Sequence, residues 1–452
     1  MISSGSPTSP SEADGPTARA HPDPPTSTSC DGLARVKVRI HRGSHEIGGN
    51  CVEVTASDGR RIVLDLGRPL SVGPDEDIEL PDVPGLRSRD PSLLGVVISH
   101  PHLDHYGLAV DLPVDVPMFI GEEAARLLEA AAFFSPISRR LDAGGHLRDR
   151  EPFELGPFTI TPYLADHSAF DAYSLLIEAD DRRLFYTGDL RAHGRKAALF
   201  ERLLRDPPRD VDVLLMEGTH VRADPSHDDA TFETEAQLEE RFVDLCHRTE
   251  GAVVAFGSAQ NLDRLVTVFR AAKRSGRTLV IDLYGATVAA ATRQTIPQPG
   301  FAGLRVYVPQ RQRVRVKESE QFWRVGDIRP HRVFPEELAS DTGRWLFHVP
   351  SSTGYELLRA RVLDARGTAV WSLWDGYLAE PSGVRLREAL DEHGVTLVHL
   401  HTSGHASVSD LRRLVDTLEP AVVVPIHSEA GDRFEELFER VDRRSDGEWW
   451  DV

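Results

Sequence analysis

The sequence predicts an α/β fold in which one domain is interrupted by an inserted unit. Short apolar runs end in a carboxylate or an imidazole in both the first half of the chain and its last segment. Between about residues 226 and 385, apolar runs alternate regularly with helical segments, which is typical of a parallel sheet with crossover helices. The 452 residues, 40% of them hydrophobic, suffice for two or three compact domains.

Composition narrows the class of protein. The chain has three cysteines and no CxxC pair, so we expect no disulfides and a reducing, cytoplasmic location. No apolar run approaches the roughly 20 residues that span a bilayer, so no membrane partner is expected. The formal net charge of -19 argues against a protein that coats nucleic acid through general basicity.

The order of elements predicts four segments. Residues 1–32 are rich in Ser, Pro and Thr, and we predict a disordered N-terminal tail. The folded part begins with the alternating strand at residues 36 to 40. We expect residues 33–225 to form the first part of the main domain, 226–385 the insertion, and 386–452 the C-terminal part of the main domain.

A dense group of metal-ligand side chains follows the apolar run at residues 93 to 98. The run is short, rich in β-branched residues and bounded by prolines, so it predicts a buried parallel strand. Three imidazoles and a carboxylate follow within six positions, namely His100, His102, Asp104 and His105. Imidazole nitrogen with a carboxylate oxygen suits zinc or a neighbouring first-row ion. A polar turn with chance histidines is the less favoured interpretation at this density.

Further carboxylates and imidazoles end other apolar runs. They are Asp65, His167, Asp189, Glu217 and His427. In open α/β sheets, ligand sites collect at the carboxyl ends of strands, so these groups are expected to converge with the first cluster. Each one alone could be a strand-end cap, but their recurrence favours convergence.

The insertion contains a basic segment in an acidic chain. Residues 301 to 332 hold eight Lys or Arg against three acidic residues. The alternation from Arg311 to Lys317 predicts a strand with four cations on one face. Such a face is either a solvated sheet edge that discourages aggregation or a groove for a phosphate backbone.

A second histidine group lies in a predicted strand-to-helix loop near the C-terminus. Ser407 is a candidate N-cap for the following helix, and backbone NH groups near such a helix start favour a bound phosphate. His401 and His405 would flank that anion, with Ser403 between them in the sequence. His399 alternates with apolar residues and is expected to be structural.

The motifs SHPHLDH, DHS, TGDLR, HTSGHAS and PIHSE, with the strand-end Glu217, resemble those of the β-CASP nucleases of the metallo-β-lactamase fold. The resemblance covers about residues 36 to 450, and the ribonuclease J type is the most similar. It implies an α/β fold in which a metallo-β-lactamase αββα sandwich carries an inserted α/β β-CASP domain.

The resemblance also implies a role for each candidate residue. One metal ion would be bound by His100, His102 and His167, a second by Asp104, His105 and His427, and Asp189 would bridge them. Asp65 would orient a ligand histidine. Glu217 would hold His405 against the scissile phosphate, and His401 and Ser403 would contact a neighbouring phosphate. The cofactors would be two divalent ions, Zn²⁺ first and Mn²⁺ as the alternative.

The function implied is a metal-dependent RNA phosphodiesterase, exonucleolytic, endonucleolytic or both, acting on single-stranded RNA through a dinuclear metal-activated hydroxide. Relatives that cut DNA tend to lack a histidine at the position of His427, so RNA is favoured. The alternatives are hydrolysis of a small ester, thioester or cyclic nucleotide, a DNA-directed nuclease, and an inactive RNA-binding protein.

Ribonuclease J proteins usually carry a further C-terminal domain that supports dimerisation, and this sequence stops about 25 residues after His427. A homodimer is therefore left open.

Overall fold

A computed structural model of the chain describes residues 35–73, 76–135, 140–228 and 231–452. The tail predicted at residues 1–32 lies outside the described residues. Within them, no helix combines the length and the apolar character that crossing a membrane requires.

The strands of the described residues form three sheets. In chain order they are β1 (Lys37–Arg42), β2 (Cys51–Thr55), β3 (Arg61–Leu64), β4 (Leu93–Val97), β5 (Met118–Gly121), β6 (Gly145–Leu147), β7 (Phe153–Leu155), β8 (Phe158–Leu164), β9 (Tyr173–Ala179), β10 (Arg182–Tyr186), β11 (Val213–Glu217), β12 (Val253–Phe256), β13 (Thr278–Asp282), β14 (Leu304–Tyr307), β15 (Trp345–Val349), β16 (Thr368–Trp371), β17 (Thr396–His399), β18 (Val422–Ile426) and β19 (Trp449–Asp451).

Helices connect and cover these strands. They are α1 (Leu103–Tyr106), α2 (Glu122–Ala132), α3 (Ala197–Arg205), α4 (Glu235–Arg248), α5 (Leu262–Arg274), α6 (Leu283–Ala290), α7 (Gln310–Glu318), α8 (Trp323–Gly326), α9 (Pro335–Ser340), α10 (Ser351–Arg359), α11 (Pro381–Glu392), α12 (Val408–Leu418) and α13 (Phe434–Leu437). Ser407 is the N-cap of α12, as predicted, and its hydroxyl accepts a hydrogen bond from the Asp410 backbone NH.

Two sheets pack face to face and form the sandwich. The first has the strand order β19-β1-β2-β3-β4-β5-β6, and the second has β18-β11-β10-β9-β8-β7. Alternate residues of β1, such as Val38 and Ile40, are fully buried and pack with Ile177 and Leu215 of the second sheet. Helix α2 covers the outer face of the first sheet, and α3 and α12 cover that of the second. The αββα sandwich is confirmed.

The third sheet is parallel throughout, with the order β14-β13-β15-β12-β16-β17. Helices α4 and α5 pack on one face and α10 and α11 on the other. The alternating apolar runs of this segment include the strands β12, β13, β15 and β16. The third sheet continues beyond residue 385, because β17 pairs with β16 as far as His399.

The predicted basic strand at residues 311 to 317 is wrong, because this segment lies in α7. Side chains four residues apart share one face of a helix, and here Gln312 and Val316 occupy the inner face. Val316 is 3% exposed, and the Gln312 amide donates to the Asp282 carboxylate over 2.6 Å. These tertiary contacts and the high helix propensity of Gln, Arg and Lys outweigh the alternating pattern.

Candidate metal centre

The candidate site lies at the carboxyl ends of strands from both sheets of the sandwich. Asp65 follows β3, His100 follows β4, Asp189 follows β10, Glu217 ends β11 and His427 follows β18. The predicted convergence at one rim arises because β3 and β4 are parallel neighbours, as are β10, β11 and β18. Asp65 and His427 both adopt left-handed backbone conformations, with φ of 56° and 54°, which turn the chain sharply at the site.

The first group of ligand atoms belongs to His100, His102, His167 and Asp189, and all of them lie within 4.8 Å of one another. His167 Nε2 is 3.2 Å from His102 Nδ1, and His100 Nε2 is 3.5 Å from an Asp189 oxygen. His167 Nδ1 lies 2.6 Å from the Gly404 carbonyl oxygen, so it donates there and Nε2 keeps its lone pair. Burial holds the pKa of His100 and His167 well below the usual range and lowers that of His102 to about 4, so the imidazoles are neutral and can bind a cation.

The second group consists of Asp104, His105, Asp189 and His427, all buried and again within 4.8 Å of one another. His105 Nε2 lies 3.1 Å from an Asp189 oxygen, and His427 Nε2 lies 3.3 Å from an Asp104 oxygen. Burial opposes a charge on His105, but the carboxylates of Asp189, Asp65 and Asp104 outweigh it and raise the His105 pKa well above its ordinary value. This group therefore has a strong negative field that favours a cation.

Asp65 lies behind the second group and fixes the orientation of His105. Its carboxylate oxygen is 2.7 Å from His105 Nδ1, which donates the hydrogen bond and turns Nε2 towards Asp189. The Ser99 backbone NH and hydroxyl and the Tyr186 hydroxyl also donate to Asp65, over 2.6 to 2.8 Å. Asp65 is thus an anchored carboxylate behind a ligand imidazole, an arrangement typical of metal sites.

The donor atoms of both groups fit divalent cations. Among the described residues, the buried atoms without a hydrogen-bond partner include His100 Nε2, His105 Nε2 and both carboxylate oxygens of Asp189. An unpartnered buried polar atom costs about 1 to 3 kcal/mol, so four of them in one place require a missing partner. Imidazole and carboxylate are the donors that zinc and neighbouring ions prefer. Asp189, which belongs to both groups, offers an oxygen to each.

His405 lies against the second group and is held by Glu217. Its Nδ1 is 3.2 Å from a Glu217 oxygen and 3.7 Å from an Asp189 oxygen. Burial lowers the tendency of His405 to carry charge, but Glu217 and Asp189 outweigh it and raise its pKa to about 9. The side chain is 20% exposed, so this cationic imidazole reaches the opening of the site.

The structure brings Ser403 to the site and places His401 beside it, against the third sheet. The Ser403 hydroxyl accepts from the His405 backbone NH over 3.1 Å, and it is 2.6 Å from His220 Nε2. The His401 ring stacks on His399 with ring centroids 5.9 Å apart, and burial with the nearby Arg264 charge lowers its pKa to about 3. His401 Nδ1 is buried without a hydrogen-bond partner among the described residues.

Several residues that the sequence did not single out support this site. The Thr219 hydroxyl is 3.1 Å from His405 Nδ1 and 2.8 Å from His427 Nδ1, so it links the two imidazoles. The buried Arg191 donates to the Ser403 carbonyl over 2.7 Å and pairs with Asp263 of α5 over 2.6 Å. Thr219 directly follows the Glu217-Gly218 pair and Arg191 ends TGDLR, so their position in these motifs was the available signal.

Comparison with known proteins identifies two domains in the chain. A family model described as a beta-lactamase superfamily domain matches residues 60–254. A second, described as a Zn-dependent metallo-hydrolase RNA specificity domain, matches residues 395–446, the segment that contains Ser403, His405 and His427.

The chain is also similar to curated proteins and to a solved structure. It is 22% identical over 368 residues to a ribonuclease J of Sinorhizobium meliloti, covering 79% of this chain and 61% of the relative. It is 24% identical over 438 residues to a ribonuclease J of Pyrococcus abyssi, covering 87% and 90%. The chain spans about three fifths of the length of the first relatives it matches. A crystal structure of a protein of unknown function from Enterococcus faecalis V583 superposes with a TM-score of 0.73 at 22% identity, covering 93% of this chain and all of the other, and it supports the fold alone.

Proposed function

We propose that this chain, a ribonuclease J-like protein of the metallo-β-lactamase fold with a β-CASP insertion, is a metal-dependent hydrolase of phosphodiester bonds in RNA. One observation carries the proposal. Two groups of ligand side chains, all buried except the half-buried His102, share the carboxylate of Asp189. The Asp189 oxygens have no hydrogen-bond partner among the described residues, and the cationic His405 lies directly beside them.

In this proposal, each group holds one divalent ion, Zn²⁺ first and Mn²⁺ as the alternative. The first ion would be held by His100, His102 and His167, the second by Asp104, His105 and His427, and both by Asp189. Such a pair of ions supplies an activated water as nucleophile and neutralises the charge that develops on phosphorus.

The residues around the ions orient the ligands and move a proton. Asp65 holds the Nδ1 side of His105, so Nε2 is the nitrogen that would bind an ion. Glu217 and Thr219 hold His405 through its Nδ1. Because its pKa is raised to about 9, His405 carries a proton at neutral pH and can donate it to the oxygen that leaves phosphorus.

The substrate would be single-stranded RNA, with its next phosphate near Ser403 and His401. The Ser403 hydroxyl is two residues from His405 and points to the same loop interior, since it accepts from the His405 backbone NH. We expect 5'-to-3' exonucleolytic action, with endonucleolytic cleavage as the alternative mode. The relatives named ribonuclease J and the matched RNA specificity domain support RNA as the substrate.

Incubation of zinc-loaded and manganese-loaded protein with end-labelled substrates tests this proposal. The substrates are 5'-monophosphate RNA, 5'-hydroxyl RNA, single-stranded DNA of the same sequence and a small phosphodiester. We expect mononucleotides from the 5'-monophosphate RNA, and no product with the Asp104→Ala variant, which should remain folded by circular dichroism. Cleavage of DNA alone, or of the small phosphodiester alone, would contradict RNA as the substrate.

A further inference from the structure

A strongly basic surface lies on the third sheet, away from the candidate metal centre. We define the α7–α8 surface by Arg311, Arg313, Arg315, Lys317 and Arg324 with the aromatic rings of Phe322 and Trp323. None of these five cations forms an ion pair with a carboxylate among the described residues. Some exposed arginines elsewhere do have such a partner, for example Arg274, which lies 2.6 Å from Glu240. In a chain of net charge -19, five unpaired cations in fourteen positions form a local exception.

The cations of α7 repel one another in the folded protein. Arg311 and Arg315, like Arg313 and Lys317, are four residues apart, so they form two rows on either side of the inner face made by Gln312 and Val316. Like charges at this spacing destabilise a helix by a few tenths of a kcal/mol per pair. Folding alone does not require them, so this arrangement favours an anionic ligand.

Two aromatic side chains of this surface are exposed. Phe322 is 60% and Trp323 is 58% exposed, although large aromatic side chains are usually buried. The Arg324 guanidinium lies 4.4 Å from the Trp323 ring centroid and 4.1 Å from that of Phe133, so it is held between two rings. Exposed rings beside unpaired cations are the combination with which proteins bind single-stranded nucleic acid, since bases stack and phosphates pair.

The α7–α8 surface begins at the carboxyl ends of the strands of the third sheet, which is the end of the sheet that faces the candidate site. All six strands of this sheet are parallel, so the carboxyl end of β14, which leads into α7, and that of β17, which leads to His401 and His405, lie on the same edge. Five strand spacings separate β14 from β17, which is about 24 Å. A polynucleotide that is bound at His405 and runs along the carboxyl ends of these strands therefore passes α7.

We propose that the α7–α8 surface binds single-stranded RNA several nucleotides from the scissile phosphate, with phosphates on the cations of α7 and bases on Phe322 and Trp323. The path of the RNA from His405 to this surface rests on the proposed function, whereas the binding of RNA to the surface does not. A basic, aromatic surface could also contact an anionic lipid bilayer. RNA is favoured because α7 exposes only one apolar side chain, Val314. With Phe322 and Trp323 the surface has three exposed apolar side chains, not the continuous apolar face with which an interfacial helix inserts.

Binding of a fluorescently labelled oligouridylate to the metal-free full-length protein, followed by anisotropy over a series of salt concentrations, tests the proposal without hydrolysis. We expect the double variant Arg311→Gln/Arg313→Gln to weaken binding roughly tenfold and to make the slope of log affinity against log salt shallower by about 1.4. The matched control is Arg387→Gln, which removes an exposed arginine on α11 and should leave the slope unchanged.

The aromatic contribution is tested separately. Trp323→Ala should weaken oligouridylate binding roughly tenfold, whereas Trp323→Phe, which keeps a ring, should retain most of the affinity. Each variant is checked for an unchanged melting temperature, which is expected because the side chains are exposed.

The outcomes separate this inference from the proposed function. Unchanged affinity and slope in the double variant would overturn the α7–α8 surface as an RNA site. Binding of the same variant to phosphatidylserine vesicles is also measured. If the variant loses vesicle binding but keeps its RNA binding, the surface is a lipid site and the proposal is overturned. If the wild-type protein binds RNA through this surface but the metal-loaded protein does not cut it, the proposed function fails and the surface stands. If the surface binds RNA and the metal-loaded protein also cuts RNA, the double variant should have a higher KM than the wild type for long RNA and an unchanged rate of dinucleotide hydrolysis.

Discussion

The two halves of the candidate metal centre share Asp189 but differ in charge. The first group surrounds that carboxylate with three imidazoles, whereas the second has two imidazoles and a second carboxylate, Asp104. The pKa values reflect this difference. Burial dominates in the first group and lowers the pKa of His100 and His167, while carboxylates outweigh burial in the second and raise the pKa of His105.

The two groups also differ in how they are supported. In the first group, His167 is held by the backbone carbonyl of Gly404, which is 237 residues away in the sequence, and His102 is half-buried. In the second, all four residues are buried, and the anchored carboxylate of Asp65 lies behind His105. The second group should therefore bind its ion more tightly, because it has more negative charge and less access to water.

Removal of the shared carboxylate should have the largest effect. Asp189→Ala takes an oxygen ligand from both groups, so we expect loss of both ions and a fall of roughly 10⁴-fold or more in RNA hydrolysis, which is about 5 kcal/mol of transition-state stabilisation. Metal content by mass spectrometry and single-turnover cleavage measure the two effects. Retention of one ion in this variant would show that the groups do not depend equally on Asp189.

His405→Ala should separate proton transfer from metal binding. We expect hydrolysis to fall by about 10²- to 10⁴-fold, because the donor for the leaving oxygen is lost, while both ions remain bound. Cleavage rates and metal content are compared with those of the wild type at equal metal saturation. An undiminished rate at equal metal content would rule out the role given to His405.

Asp65→Asn should sharpen the difference between the two groups. The amide can still contact His105, but it no longer stabilises the ligand with a charge, so the affinity of the second group should fall by roughly 10- to 100-fold. The affinity of the first group should stay within a factor of about two, since Asp65 contacts none of its ligands among the described residues. Competition with a fluorescent zinc chelator measures both affinities, and an equal loss at both would contradict the assignment of Asp65 to the second group.

The smallest effect concerns stability. An ion at one hundred times its dissociation constant stabilises the folded state by about 2.7 kcal/mol, so saturation with zinc should raise the melting temperature by about 5 °C relative to the metal-free protein. The increase should come in two phases as zinc is added, the first from the tighter second group. A single phase in differential scanning fluorimetry would indicate equal affinities.

The sequence predicted which candidate ligands lie together better than it predicted the residues that support them. His100, His102, Asp104 and His105 lie within six positions after one strand, so local spacing brings them together. The hydroxyls of Ser99, Tyr186 and Thr219 act through contacts with residues distant in the sequence, such as Tyr186 with Asp65 over 121 positions. Hydroxyl side chains are common at strand ends, so the residue type alone does not distinguish those that orient a ligand.

The basic segment shows why part of the fold could not be predicted. Cations at every second position predict a strand, but positions 311 and 315, and 313 and 317, also have the spacing of one helical turn. The contact of Gln312 with Asp282 and the burial of Val316 decide in favour of the helix, and both depend on the third sheet. The last strand of the third sheet depends on tertiary contacts in the same way, because β17 is defined by its pairing with β16.

A zinc titration of the metal-free wild-type protein by isothermal calorimetry tests the central claim most directly, because the proposed chemistry requires two ions around Asp189. We predict a stoichiometry of two ions per chain, with a tighter and a weaker site, and no high-affinity binding in the Asp189→Ala variant. Saturation of the wild-type protein at one ion per chain would contradict the dinuclear centre.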